Sequence, residues 1–151
     1  MRKALFPLIA LLSLPALTSC AKRDVNVTDG WVRLAAAPDR PSAAYFTIKG
    51  GSDADRLIAV SSQVAIRVEM HETMKEGGMM KMRALDAVDI PAGETVKFEP
   101  GGRHVMMWNV NSGIKPGGKM TMMFTFASGT QLEYPMAVQG PADAAPAAGA
   151  N

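Results

Sequence analysis

The chain has 151 residues, 12 of them Met, and a formal net charge of +2. That length fits one domain with a core of its own, and a hydrophobic fraction of 48% opposes extensive disorder. A single Cys excludes a disulfide scaffold, and two His exclude a multi-His zinc centre.

Met1-Arg2-Lys3 precedes a mostly apolar run from Ala4 to Leu17. A short basic stretch followed by an apolar run of this length predicts a secretory signal peptide over residues 1–19. Pro7 and Pro15 interrupt the run, which is short of the ~20 apolar residues a spanning helix needs. Leu17-Thr18-Ser19-Cys20 resembles a bacterial lipobox, which implies cleavage before Cys20 and lipidation of its thiol. Ordinary cleavage just beyond this point is the alternative, and both readings export the chain. The segment carries two basic residues and no acid, so 16 − 2 = 14 basic residues remain against 14 acidic ones. A near-neutral domain gives no footprint for nucleic acid or an anionic membrane, and membrane association is expected only through the lipid.

Residues 20–29 read as a polar tether, and residues 30–139 as the folded domain. The expected strands are Ala43 to Lys49, Arg56 to Val60, Ala65 to Glu72, Met79 to Leu85, Glu94 to Glu99, Arg103 to Val110, Lys119 to Ala127 and Gln131 to Val138. Gly, Pro, Asn, Asp and Ser clusters separate most of them. In the third, Ile66, Val68 and Met70 form an apolar face and Arg67, Glu69 and His71 a polar one. Seven to nine short strands without a sustained helical period predict an all-β, antiparallel Greek-key sandwich. Residues 140–151, rich in Ala and Pro, are expected to be disordered.

Methionine is unevenly used. Six of the ten Leu lie within the first twenty residues, and beyond them four Leu stand against eleven Met. Met70, Met107, Met120, Met122, Met123 and Met136 read as core filler. Others fall into register with both histidines, in the pattern His71-x10-Met82-x21-His104-x-Met106. Residues two apart on a strand share a face, so His104 and Met106 can hold one ion, with Trp108 on the same face. The same alternation turns both imidazoles away from the core faces, toward an accessible surface. Two imidazoles and two thioethers make a soft, uncharged donor set that suits Cu(I) better than Mg, Ca, Mn or Zn. Thioethers have no proton to lose and cannot be consumed by disulfide formation in an oxidising compartment.

With Glu69-Met70-His71, Gly77-Gly78-Met79-Met80-Lys81-Met82-Arg83 and Pro100-Gly101-Gly102-Arg103-His104-Val105-Met106, this pattern resembles the periplasmic copper chaperones of the PCuAC type over roughly residues 25–138. The resemblance implies a cupredoxin-like β-sandwich and Cu(I) held by His71, Met82, His104 and Met106. It also implies delivery to cytochrome c oxidase, with an oxidase subunit or a thiol-bearing assembly factor as the copper acceptor. Met79 and Met80 are candidate auxiliary contacts. Many members carry a His- and Met-rich C-terminal extension, whereas no His or Met follows Met136 here, so one copper per domain is expected.

Three other functions compete. A blue-copper carrier needs a His2Cys site, and the sole Cys lies in the export segment. An enzyme is disfavoured because no nucleophile–base, paired-carboxylate or phosphate-loop motif stands out. A metal-independent β-sandwich lipoprotein that binds another protein is the remaining alternative.

Overall fold

The computed structural model describes residues 22–147, and the strand-forming alternation seen in the sequence is realised as ten strands. They are β1 (Asn26–Arg33), β2 (Ser42–Lys49), β3 (Asp55–Ser61), β4 (Ala65–Glu76), β5 (Met79–Leu85), β6 (Val88–Ile90), β7 (Thr95–Phe98), β8 (Arg103–Val110), β9 (Lys119–Phe126) and β10 (Gln131–Gln139). No helix occurs among the described residues. The strands are hydrogen-bonded in the order β5-β4-β8-β2-β1-β10-β9-β3-β6. β2 changes partner along its length: Ser42–Ala44 pairs with β8, and Phe46–Lys49 with β7. All pairs are antiparallel except β1 with β10, which run parallel with Trp31 opposite Ala137. The expected antiparallel sandwich holds at every other seam and departs from that pattern only where the first and last strands of the domain meet.

The core forms where alternate residues of the two halves of this path meet. Ala44, Phe46, Ile48, Val105 and Met107 are buried together with Leu57, Met122, Phe124, Phe126 and Met136. Phe46 joins the halves, stacked on Phe98 at 4.3 Å and edge-on to Phe124 at 4.8 Å. Such aromatic pairs contribute about 0.5–1.5 kcal/mol each beyond area burial. Met70, Met107, Met120, Met122 and Met136 are buried as expected of filler, and Met123 is half-buried.

Beyond one-residue shifts at strand ends, three features differ from the sequence reading. The tether expected over 20–29 ends early, because β1 begins at Asn26 and Val27 is a core residue. Even residues 22–25 are tied down: the Arg23 N–H donates to the Ser52 hydroxyl, the Arg23 carbonyl accepts from the Ser52 N–H, and Lys22 pairs with Asp53 at 2.7 Å. β4 runs to Glu76, four residues beyond its expected end, and closes onto β5 through Gly77-Gly78. Both glycines have positive φ (59° and 81°), as a two-residue hairpin turn of type I′ requires. β6 has three residues, too few to show a period in the sequence.

The expected signal peptide, the acceptor Cys20 and the last four residues of the expected tail lie outside the described residues. The described part of that tail contains a turn in which Asp143 Oδ2 accepts from the Gly140 N–H at 2.6 Å.

Candidate metal centre

β5, β4 and β8 form a three-stranded ribbon at one end of the sheet, with β5 as its free edge. Register decides which side chains share its outer face, because residues paired across strands point the same way. His71 lies opposite His104 on β8 and opposite Ala84 on β5. Glu69 lies opposite Met106, Arg67 opposite Trp108, and Thr73 opposite Met82. One face therefore carries His71, Met82, His104 and Met106, with Glu69, Arg67 and Trp108 beside them. The two histidines occupy one rung, Met106 lies one same-face step to one side, and Met82 one step to the other on the edge strand. Among the described residues no group of three His, Cys, Asp or Glu side chains could hold a metal ion.

The alternation places Met80 on the Met82 face and Met79 on the opposite one. Of the two auxiliary candidates, only Met80 shares the face of the proposed ligands. Met74, paired with Lys81, also belongs to the opposite face.

The imidazoles leave the core face as the alternation requires, but they are not open to solvent. His104 is 7% exposed and the His71 side chain 14%. Their rings lie 6.1 Å apart between centroids, inclined by 29°, and Trp108 stands 6.1 Å from His71. Met82 is 53% exposed. The accessible side of the group is thus the thioether on the free edge. The correction has a physical cause: a rung on a central strand is flanked on both sides, whereas an edge strand is flanked on one.

Polar contacts hold the rings. His104 Nδ1 lies 3.0 Å from the Gly102 carbonyl, which also accepts from the Thr73 N–H at 3.1 Å. His71 Nε2 lies 3.1 Å from Glu69 Oε2, while its Nδ1 is buried without a hydrogen-bond partner. Arg67 Nε is 3.6 Å from Glu69 Oε1, and its guanidinium lies over Trp108, 3.7 Å from the ring centroid. On the reverse face Glu72 bridges Arg83 at 2.9 Å and Arg103 at 3.4 Å, its partners across both ladders. This carboxylate clamps the three strands together one residue beyond the histidine rung.

Sequence reasoning assigned no role to these two carboxylates. Glu69 had a signal, being two residues before His71 on the same strand face; Glu72 had none without the register. Ile66 is likewise corrected: expected to share an apolar face with Val68 and Met70, it is 84% exposed. The two layers cover Met70 fully and Val68 partly, and do not reach Ile66.

The outer face continues past β8 to β2, where Ala43 lies opposite Met106, and on to β1. There Trp31 and Tyr45 pack at 4.6 Å beside a cavity of about 400 Å³ lined also by Lys49, Lys97, Pro146 and Ala147. Burial raises the Tyr45 phenol above its ordinary pKa, against the lowering effect of the nearby Arg33 guanidinium. None of the four proposed ligands lines that cavity.

Residues 25–138 match the family described as "Putative lipoprotein LpqE-like". The protein named "Putative lipoprotein Lxx21020", from Leifsonia xyli subsp. xyli, is 31% identical over 108 residues, which cover 70% of this chain and 64% of that one. The protein RP573 of Rickettsia prowazekii is 32% identical over 92 residues, covering 60% of this chain and 51% of its own length. The chain thus spans between half and two thirds of these relatives. Among solved structures, the copper-bound PCuAC domain of PmoF2 superposes with a TM-score of 0.65 at 22% identity, over 80% of this chain and 97% of that domain. The Cu(I) form of DR1885 from Deinococcus radiodurans gives 0.61 at 25% identity, over 83% and 86%. The expected cupredoxin-like all-β fold is therefore the fold observed. The chain belongs to the LpqE-like family, and its domain has the architecture of the PCuAC domains.

Proposed function

We propose that this protein is an exported copper metallochaperone that binds one Cu(I) through His71, Met82, His104 and Met106. The observation that carries this reading is the shared rung of His71 and His104 on a ribbon face that also bears both methionines. The donor chemistry fits: two imidazoles and two thioethers are soft and neutral, and the buried His71 Nδ1 has no hydrogen-bond partner within the protein. The likeness to domains solved with copper and with Cu(I) supports the same ion.

The protein's part is binding and release, with no covalent chemistry of its own. The flanked imidazoles form the fixed half of the site, held by Gly102 and Glu69. Met82, on the exposed edge, forms the accessible half. An incoming thiolate or imidazole displaces the edge thioether first, and the remaining ligands follow. Ligand exchange of this kind leaves the ion's oxidation state unchanged. The acceptor is a copper-receiving protein, and cytochrome c oxidase assembly, through an oxidase subunit or a thiol-bearing factor, is the process we infer. Placement in the cell envelope, lipid-anchored through Cys20, is supported by the lipobox and by the lipoprotein designation of the family and the Leifsonia relative.

Anaerobic competition titration with a Cu(I) chelator tests the reading. One tight equivalent is expected, strongly weakened in His104→Ala and Met106→Ala and little changed in Met136→Ala. Equal affinity in all variants would refute the ligand set, and no affinity in the parent would favour a metal-independent binding module.

A further inference from the structure

We propose that Glu69 is a positioning residue that sets which nitrogen His71 offers to the ion, so that His71 binds through Nδ1 while His104 binds through Nε2. This rests on the copper reading above and adds an assignment that the donor set alone does not contain.

A neutral imidazole carries one N–H donor and one lone pair, so fixing the donor fixes the ligand atom. For His104 the partner of Nδ1 is the Gly102 carbonyl at 3.0 Å, and a carbonyl only accepts. The proton is therefore on Nδ1 and the lone pair on Nε2. The carbonyl is itself held by the Thr73 N–H, which stitches it to β4 opposite the edge strand that bears Met82. For His71 the contact is reversed. Its Nε2 lies 3.1 Å from Glu69 Oε2, and a carboxylate also only accepts, so the proton is on Nε2. The lone pair then falls on Nδ1, the buried nitrogen without a partner. The other tautomer would bury an unpartnered N–H and point a lone pair at a carboxylate. Leaving a buried polar group unsatisfied costs about 1–3 kcal/mol. As an acceptor, the orphaned Nδ1 is a ligand atom waiting for a cation.

Glu69 is equipped to hold this choice. Arg67 engages its other oxygen, Oε1, at 3.6 Å and is itself laid over Trp108 at 3.7 Å. The carboxylate is thus held from one side and accepts from His71 on the other. It stands in the register opposite Met106, between the imidazole rung and the Arg67–Trp108 pair. A carboxylate oxygen is a hard donor poorly matched to Cu(I), so its place is behind the imidazole. There it orients the ring.

Long-range 1H–15N correlation spectra of the metal-free protein, recorded with both rings neutral, report which nitrogen carries each proton. His71 is expected as the Nε2–H tautomer and His104 as the Nδ1–H tautomer. In Glu69→Ala, His71 should lose its preference while His104 keeps its own, and Cu(I) affinity should fall by roughly 10–100-fold. Glu69→Gln retains an oxygen that accepts from Nε2–H but loses the charge that attracts Arg67. It should restore most of the tautomer preference and most of the affinity. A role limited to the Arg67 ion pair would instead leave Gln as impaired as Ala. The assignment is overturned if wild-type His71 carries its proton on Nδ1, or if Glu69→Ala changes neither tautomer nor affinity. It is also overturned if Gln fails to rescue. Wrong tautomers with intact Cu(I) binding sink this proposal alone, whereas a protein that binds no Cu(I) sinks the copper reading and this one with it.

Discussion

Methionine appears in two settings that share only the side chain. Met107, Met122 and Met136 are completely buried between the sheet layers. Met79, Met80 and Met82 line the free edge strand β5 and are 65%, 62% and 53% exposed. In the core an unbranched thioether fills irregular gaps among Phe46, Phe124 and Phe126 and stabilises by burial and dispersion. At the edge the same group stays in water and contributes little burial. An exposed apolar edge is an aggregation liability, which the alternating Lys81 and Arg83 moderate, each paired with a carboxylate of β4. Packing accounts for the first set and leaves the second unexplained, so a role for the edge sulfurs has to come from what faces them. Register supplies it for Met82 and Met80 but not for Met79.

The largest expected effect breaks the comparison on the core side. Met122→Ala or Met136→Ala removes a fully buried side chain and should cost about 2–5 kcal/mol. For a domain of this size that lowers Tm by roughly 10 °C or more, measured by thermal unfolding. Below the new Tm, Cu(I) stoichiometry should stay at one. Met82→Ala is the mirror experiment. Stability should change by less than about 0.5 kcal/mol, because an exposed surface position is altered. Cu(I) affinity, by chelator competition, should fall about tenfold, equivalent to about 1.4 kcal/mol. A Met82→Ala variant that unfolds early yet binds copper normally would reverse the division.

Much of this architecture was legible because strand alternation is a strong local signal. β5 and β8 have the bounds that turn residues and apolar spacing predict, and the separation of Met106 from Met107 into opposite faces follows from a period of two. The pairing of strands was not legible, and most of what the sequence missed depends on it. Glu72 meets Arg83 and Arg103 only because three strands lie in one register. The burial of His104 depends on β8 lying between β4 and β2, a long-range fact with no local trace. The parallel contact of β1 with β10 joins residues about a hundred positions apart. Glu69 falls between these cases: its two-residue spacing from His71 was in the sequence, but whether it faced water or the ring was not.

A smaller effect separates methionines that are all more than half exposed. Mild peroxide should convert Met79, Met80 and Met82 to sulfoxide well before Met107, Met122 or Met136, as read by peptide mass spectrometry. Loading with Ag(I), a soft ion of the same charge that peroxide does not oxidise, should then slow oxidation of Met82, and to a lesser degree of Met80 on the same face, while leaving Met79 unchanged. Equal protection of Met79 and Met82 would mean that register does not select the ligand.

The smallest effect lies at the far end of the sheet and serves as the control for all the others. Asp55, at the start of β3, accepts from the Ser128 hydroxyl at 2.6 Å and from the backbone N–H groups of Arg56 and Ser128. Partial burial pushes this carboxyl up, but the three hydrogen bonds together outweigh it and hold the pKa below its ordinary value. A depressed folded-state pKa means that the unfolded chain takes up the proton more readily. The contribution to stability is therefore fully present above the unfolded carboxylate value of about 3.9 and is lost as pH falls through the lower folded value. Asp55→Asn should thus have a slightly lower Tm than wild type at neutral pH, and the gap should close as pH falls below 4. Because Asp55 bonds at the start of β3 and in the β9–β10 turn, away from the Ile58–Val60 stretch of β3 that lies beside β4, Cu(I) affinity should be the same in both proteins at neutral pH. A fall in affinity with Asp55→Asn would show that the two ends of the sheet are coupled, and that loss of copper binding in a core methionine variant could not be read as a local effect.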